Sequence, residues 1–143
     1  MSTTQVPSPI AVKRLPRMRR LSFVSPKLAR LLTVFSYPSF HLGTFIESQP
    51  AITRFCEYPG YVIVNTQPVL ATFYVEGNDN QQFLVLDDAT DLQPEKPATT
   101  PSFPDGDVFV VTPAWLMARQ QWIDNWQLIT PYITCNAQRL IEE

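Results

Sequence analysis

The stretch from Phe55 to Asp88, FCEYPGYVIVNTQPVLATFYVEGNDNQQFLVLDD, constrains the fold most. It holds three β-type runs, Tyr61–Val64, Val69–Val75 and Phe83–Leu86, rich in β-branched and aromatic residues. Turn-forming residues separate them, Asn65-Thr66-Gln67-Pro68 first and Gly77-Asn78-Asp79-Asn80 second. Runs joined by polar turns predict a meander, a small sheet onto which the other elements pack. Any site built on this sheet depends on which carboxylates project from it.

The flanking sequence supplies helices. Ser25-Pro26 reads as an N-cap followed by proline in the first turn, predicting a short helix with Leu28, Leu31 and Leu32 on one face. Ser36–Glu47 predicts a second helix, with Pro38 in its first turn and Phe40, Phe45 and Ile46 as anchors. The segment 50–57 joins that helix to the sheet, with Ile52 and Phe55 facing the core. After Asp88 comes an irregular, proline-punctuated segment, Ala89–Asp107, long enough that it is expected to cross the surface or cover a sheet edge. Asp107–Val111 reads as a fourth strand. Thr112-Pro113 starts a helix through about Trp126, and Thr130-Pro131 starts a last one with Ile133, Ala137 and Leu140 inward. The order of elements predicts an α/β domain with a mixed sheet.

At 143 residues the chain makes one domain, read as a flexible arm over 1–20 and a body over 21–143. Charge divides it in the same way. The first 46 residues contain Lys13, Arg14, Arg17, Arg19, Arg20, Lys27 and Arg30 and no acid, for +7; the remainder has 4 basic and 13 acidic residues, for −9. A basic arm on an acidic body predicts that the arm meets a polyanion or a partner's surface. Lys/Arg clusters of this kind bind phosphates by releasing counterions, whatever the base sequence.

No run approaches the ~18 apolar residues of a membrane span, and no apolar segment follows the basic N-terminus, so neither an anchor nor a secretory signal is expected. Cys56 and Cys135 form no disulfide framework and no metal motif. They read as free thiols in a reducing, cytoplasmic setting. His41, the only histidine, lacks a second ligand of its kind and reads as structural. Trp115, Trp122 and Trp126 share one predicted helix. Core packing accounts for such a set, and a partner-binding surface at Trp115 and Trp122 is the alternative. There is no glycine-rich phosphate loop, no Ser/His/Asp set and no heptad run.

Several runs together resemble one family: ARLLTVFSYPSFHLGTFIESQPAITRFCEYPGYV, LATFYV, FLVLDD and VFVVTPAWLMARQQWIDNWQLITPYI. They are similar to the TnsA-like endonucleases of heteromeric cut-and-paste transposons, across roughly residues 20–133. The resemblance implies a restriction-endonuclease-like, PD-(D/E)XK core: a mixed four-stranded sheet flanked by helices. It implies bacterial, cytoplasmic work on DNA beside a transposase or a transposition regulator, with homo-oligomers possible in principle.

In that family a Glu on the helix before the sheet, an Asp opening a Phe-containing strand, and a carboxylate-x-Lys on the next strand hold Mg²⁺ and activate water. Carried over, the Glu position falls at Ser39, the Asp position at Thr72 in Ala71-Thr72-Phe73-Tyr74-Val75, and the last within Val85-Leu86-Asp87-Asp88, at Asp87. No Lys occurs between Lys27 and Lys96. Hydroxyls at Ser39 and Thr72 lack the negative charge that a hard divalent ion requires. The expectation is therefore a catalytically degenerate subunit without a cofactor. It would bind DNA through Lys13, Arg14, Arg17, Arg19, Arg20, Lys27 and Arg30, and it would dock transposition proteins. Two alternatives stand beside it. One is an active Mg²⁺-dependent nuclease with a rearranged site drawn from Glu47, Glu57, Glu76, Asp87 and Asp88, above all Glu47, Glu76 and Asp87, with Glu76 near Asp87 across a hairpin. The other is a protein-interaction subunit that never touches DNA.

Overall fold

The computed structural model describes residues 7–13, 19–87 and 92–129. Along the chain these form β1 (Val12–Lys13), β2 (Leu21–Ser25), β3 (Arg30–Val34), α1 (Tyr37–Ser48), β4 (Ile52–Glu57), β5 (Tyr61–Val64), β6 (Gln67–Leu70), β7 (Phe73–Gly77) and β8 (Gln81–Leu86). Then come β9 (Gln93–Pro94), a single 3-10 turn (Pro97–Thr99), β10 (Ser102–Phe103), β11 (Val108–Val111) and α2 (Pro113–Met117). A further helix covers 120–129.

The fold is α/β, centred on a mixed four-stranded sheet in the order β11-β8-β7-β4. The pairs β4–β7 and β7–β8 are antiparallel, and β11 joins β8 in parallel. Alternation along each strand gives the sheet two buried faces. Phe55, Phe73, Val75, Leu84, Leu86 and Val111 face one core with Leu42 and Ile46 of α1. Cys56, Tyr74, Phe83 and Val85 face the other, closed by Val62 and Ala71. That second core is covered by a three-stranded sheet, β10-β5-β6. Burial on both faces explains why β8 reads as a continuous apolar run and not as an alternating one.

The helix α1 begins as the sequence predicts. Ser36 is extended, and its hydroxyl accepts from the Ser39 N–H. Gly43 fits inside this helix because a Cβ there would stand 3.0 Å from the Phe23 ring and 3.2 Å from the Phe73 ring. The close approach of β2 to α1 depends on that missing methyl group. Thr112 likewise caps α2, accepting from the Trp115 N–H at 3.1 Å.

Four expectations change. The Ser25-Pro26 helix is instead a hairpin, β2 paired antiparallel with β3 through Val24↔Leu31 and Phe23↔Leu32. Ser25 does cap a single turn, its hydroxyl accepting from the Leu28 N–H, but Ala29 has φ +56° and turns the chain back. The segment 50–57 is a connector in the sequence reading, whereas Ile52–Glu57 is an edge strand with an irregularity between Ile52 and Arg54. The run Val69–Val75 divides between two strands in different sheets, with the break at Ala71-Thr72. Finally, the first turn is tighter than expected. Asn65 and Thr66 have φ +50° and +65°, and Gln67-Pro68 already pairs with Ile63 and Val64 in a two-residue hairpin.

Two other features follow the expectation. The long segment before β11 does cover an edge, since β10 adds to β5 in parallel. The Thr112-Pro113 helix turns at 118–119 and resumes, with Leu116 and Ile123 buried. The last predicted helix, with Ile133, Ala137 and Leu140, lies outside the described residues, as does Cys135. No helix among the described residues is long and apolar enough to cross a membrane.

Candidate functional site

At the end of the sheet where β7 begins and β8 ends, a cleft of about 410 Å³ opens between the first turn of α1 and the β5–β6 hairpin. Ser39 and Thr72 both line it, 33 positions apart in sequence. Ser36, Tyr58, Tyr61 and Gln93 complete its polar surface, and none of its lining residues is charged.

Each hydroxyl is held by the backbone that brings it there. Ser39 is buried, and its Oγ lies 2.8 Å from the capping Ser36 Oγ. Thr72 sits at the break between β6 and β7. Its N–H donates to Leu84 O at 2.8 Å, and its Oγ1 accepts from the Leu86 N–H at 3.1 Å. The side chain thus supplies a ladder acceptor at the point where the chain passes from one sheet to the other. Thr72 O accepts from the Tyr58 N–H, and the Tyr58 hydroxyl accepts from the Phe35 N–H at 3.1 Å. Such groups can donate and accept hydrogen bonds. They offer no ionised oxygen to a divalent cation.

Asp87 follows Leu86 at the same end of the sheet. Leu86 lines the cleft, whereas the Asp87 side chain is exposed and its N–H donates to Val111 O. Asp88 lies outside the described residues. The three positions implied by the resemblance therefore gather at one end of the sheet: two in the cleft and the third next to it. The helix start at Ser36 was legible in the sequence; its role as the cap was not. Tyr58 and Gln93 carried no signal in the sequence, because only the crossing of separate elements brings them to the cleft.

The rearranged carboxylate set does not assemble. Glu76 pairs with Gln81 beside the β7–β8 turn, while Asp87 follows the far end of β8. Asp87 lies six residue steps along the chain from Gln81, roughly 20 Å at the usual rise. Glu76 is bound by Arg54 and by the Tyr74 hydroxyl. Glu47 lies at the last turn of α1, buried, accepting from Ser25 Oγ at 2.6 Å and from the Lys27 N–H at 2.7 Å. It anchors the β2–β3 hairpin to α1. Among the described residues no group of three or more His, Cys, Asp or Glu is placed to hold a metal ion.

The basic residues divide as well. Lys27 donates its Nζ to Gln49 O and Ile52 O at 2.6 Å and to Ile46 O at 3.3 Å, satisfying carbonyls at the end of α1. Burial lowers its pKa, with Glu47 opposing. Arg30 makes a two-pronged pair with Glu57 at 2.6 and 2.9 Å, and the hydrogen bond raises its pKa against burial. Both are engaged inside the fold, so neither is free for a phosphate. Lys13, Arg19 and Arg20 are exposed. Lys13 lies opposite Gln93 in the β1–β9 pair, and Gln93 lines the cleft. Arg19 donates to the Tyr37 hydroxyl at 2.7 Å and sits over that ring, next to Ser36. Arg14 and Arg17 lie outside the described residues.

Of the tryptophans, Trp115 packs against Phe45 and Phe109 with the Arg119 guanidinium 3.8 Å from its ring centre. Trp122 is 53% exposed, with its Nε1–H donating to Ser48 Oγ. His41 contacts the rings of Tyr37 and Phe40, in keeping with a structural place. The Cys56 thiol is buried and its pKa is pushed up to about 12, by desolvation first and by Glu57 next, which keeps it a thiol. Compared with protein-family models, with curated proteins and with solved structures, the chain finds no match in any of the three.

Proposed function

We propose that this chain is a catalytically degenerate, TnsA-like subunit of a transposition complex, with a restriction-endonuclease-like core that holds duplex DNA without cutting it. The reading rests on the cleft. Ser39 from the helix before the sheet and Thr72 at the head of the Phe73 strand come together there, in a pocket without a charged lining residue. A nuclease of this family needs anions at those positions to hold Mg²⁺. Two hydroxyls and a dispersed set of acids leave the outline of such a site without its metal chemistry.

DNA contact falls to the basic residues beside the cleft. Lys13, Arg19 and Arg20, the exposed described members of the basic cluster, contact backbone phosphates without reading sequence. The acids Glu76, Asp79, Asp105 and Asp107 border a pocket at the opposite end of the sheet, so the field steers a duplex toward the cleft end. The exposed Trp122 ring suits docking of a partner transposition protein. Trp115, already packed, supports that surface from within.

Titration of a non-specific duplex at increasing salt tests the proposal. Binding is expected at low salt, and changing Lys13, Arg19 and Arg20 together to Ala is expected to flatten the log–log salt dependence by roughly 3. No strand scission is expected with Mg²⁺ or Mn²⁺. Unchanged binding in the triple variant, or metal-dependent nicking by the pure protein, would overturn it.

A further inference from the structure

Among the described residues, β11 has a strand neighbour on one side only. Its bonds to β8 use alternate residues. Asp107 O accepts from the Phe83 N–H and Val111 O from the Asp87 N–H, so the odd-numbered residues face β8. The N–H and C=O groups of Val108 and Val110 therefore point away from the sheet. The other edges of the four- and three-stranded sheets are blunted: β4 carries a register irregularity and Arg54, β6 carries Pro68, and β10 is two residues long. The run Val108-Phe109-Val110-Val111 has no proline, no charge and no irregularity. Phe109 and Val110 remain 37% and 36% exposed.

We infer that β11 pairs antiparallel with β11 of a second copy about a two-fold axis, joining two four-stranded sheets into one. The register follows from which groups face outward. Val108 exchanges two backbone hydrogen bonds with Val110 of the other copy and Val110 with its Val108, while Phe109 meets its own symmetry mate on the axis. Charge selects the antiparallel sense. In that arrangement each Asp107 lies opposite the far end of the other strand, whereas a parallel pairing would set the two Asp107 carboxylates side by side. The ring of Phe109 lies on the α1 side of the sheet beside Trp115, at the rim of an apolar groove of about 220 Å³. The second Phe109 shields that rim. Four strand bonds and a few apolar side chains bury less than the ~1,200 Å² of a standard interface. The dimer is accordingly weak and concentration-dependent, with dissociation on the order of micromolar to sub-millimolar.

Sedimentation of the full chain over a concentration series reads the assembly directly. Wild type is expected to shift from monomer to dimer, and Val110→Lys is expected to raise the dissociation constant at least tenfold at unchanged thermal stability, because its backbone bonds nothing in β8. A covalent trap checks the register independently of that variant. In a Cys135→Ser background, mild oxidation is expected to cross-link Phe109→Cys, whose sulfurs meet across the axis, and not Val110→Cys. A wild type that stays monomeric throughout, a Val110→Lys protein that dimerises as well as wild type, or cross-linking of Val110→Cys as readily as Phe109→Cys would each overturn the inference.

Discussion

The two ends of the four-stranded sheet differ in how they treat charge. At the end where β8 finishes, Ser36, Ser39 and Thr72 are bonded to one another or to backbone, and the cleft between them has no charged lining residue. At the other end, by the β7–β8 turn, Glu76, Asp79, Asp105 and Asp107 border an open pocket. A nuclease-like sheet needs its acids at the first end. This chain carries most of its described sheet acids at the second, where they flank turns. Polar groups at the cleft end complete the hydrogen-bond framework of the fold, and the acids at the turn end border an open pocket.

The contrast is sharpest for Glu47, which belongs to neither end's solvent. Glu47→Ala removes two bonds to an ionised acceptor and strands Ser25 and the Lys27 N–H. Urea unfolding is expected to register a loss of roughly 4 kcal/mol. A loss under ~1 kcal/mol would mean that Glu47 is a surface carboxylate free for ligation. At the cleft, Thr72→Val keeps shape and removes the acceptor of the Leu86 N–H; a loss of about 1.5 kcal/mol is expected in the same measurement. No loss would mean that the hydroxyl is available for chemistry and is not part of the ladder. The smallest change belongs to the turn end. Glu76→Gln weakens a pair in which Arg54 is exposed and Glu76 half-buried, and is expected to cost about 0.5 kcal/mol, shrinking further in high salt. A larger cost would erase the difference between the two ends.

Much of this arrangement is legible in local sequence. The helix start near Ser36, the cap at Thr112, the turn at Gly77–Asn80 and the strands around Phe83 and Val108 follow from residues within a few positions of each other. The hairpin at Leu21–Val34 does not, because Ser25-Pro26 is a sound helix start. The pairing of Val24 with Leu31 and the packing of Phe23 against Gly43 override it. The same holds for Lys27 and Arg30. Both sit in a basic stretch that reads as free cation until Gln49 O, Ile52 O and Glu57 arrive from other elements.

The sequence by itself determines that Ser39 and Thr72 carry no charge, that no lysine falls between Lys27 and Lys96, and that basic residues precede an acidic body. These are matters of composition along the chain, and folding cannot alter them. Only the tertiary structure decides that Ser39 and Thr72 share a cleft, that Glu76 and Asp87 lie at opposite ends of the β7–β8 hairpin, and that Lys27 and Arg30 are engaged internally. Each depends on a contact between segments distant in sequence, where strand register and helix docking, not neighbouring residues, set which groups meet.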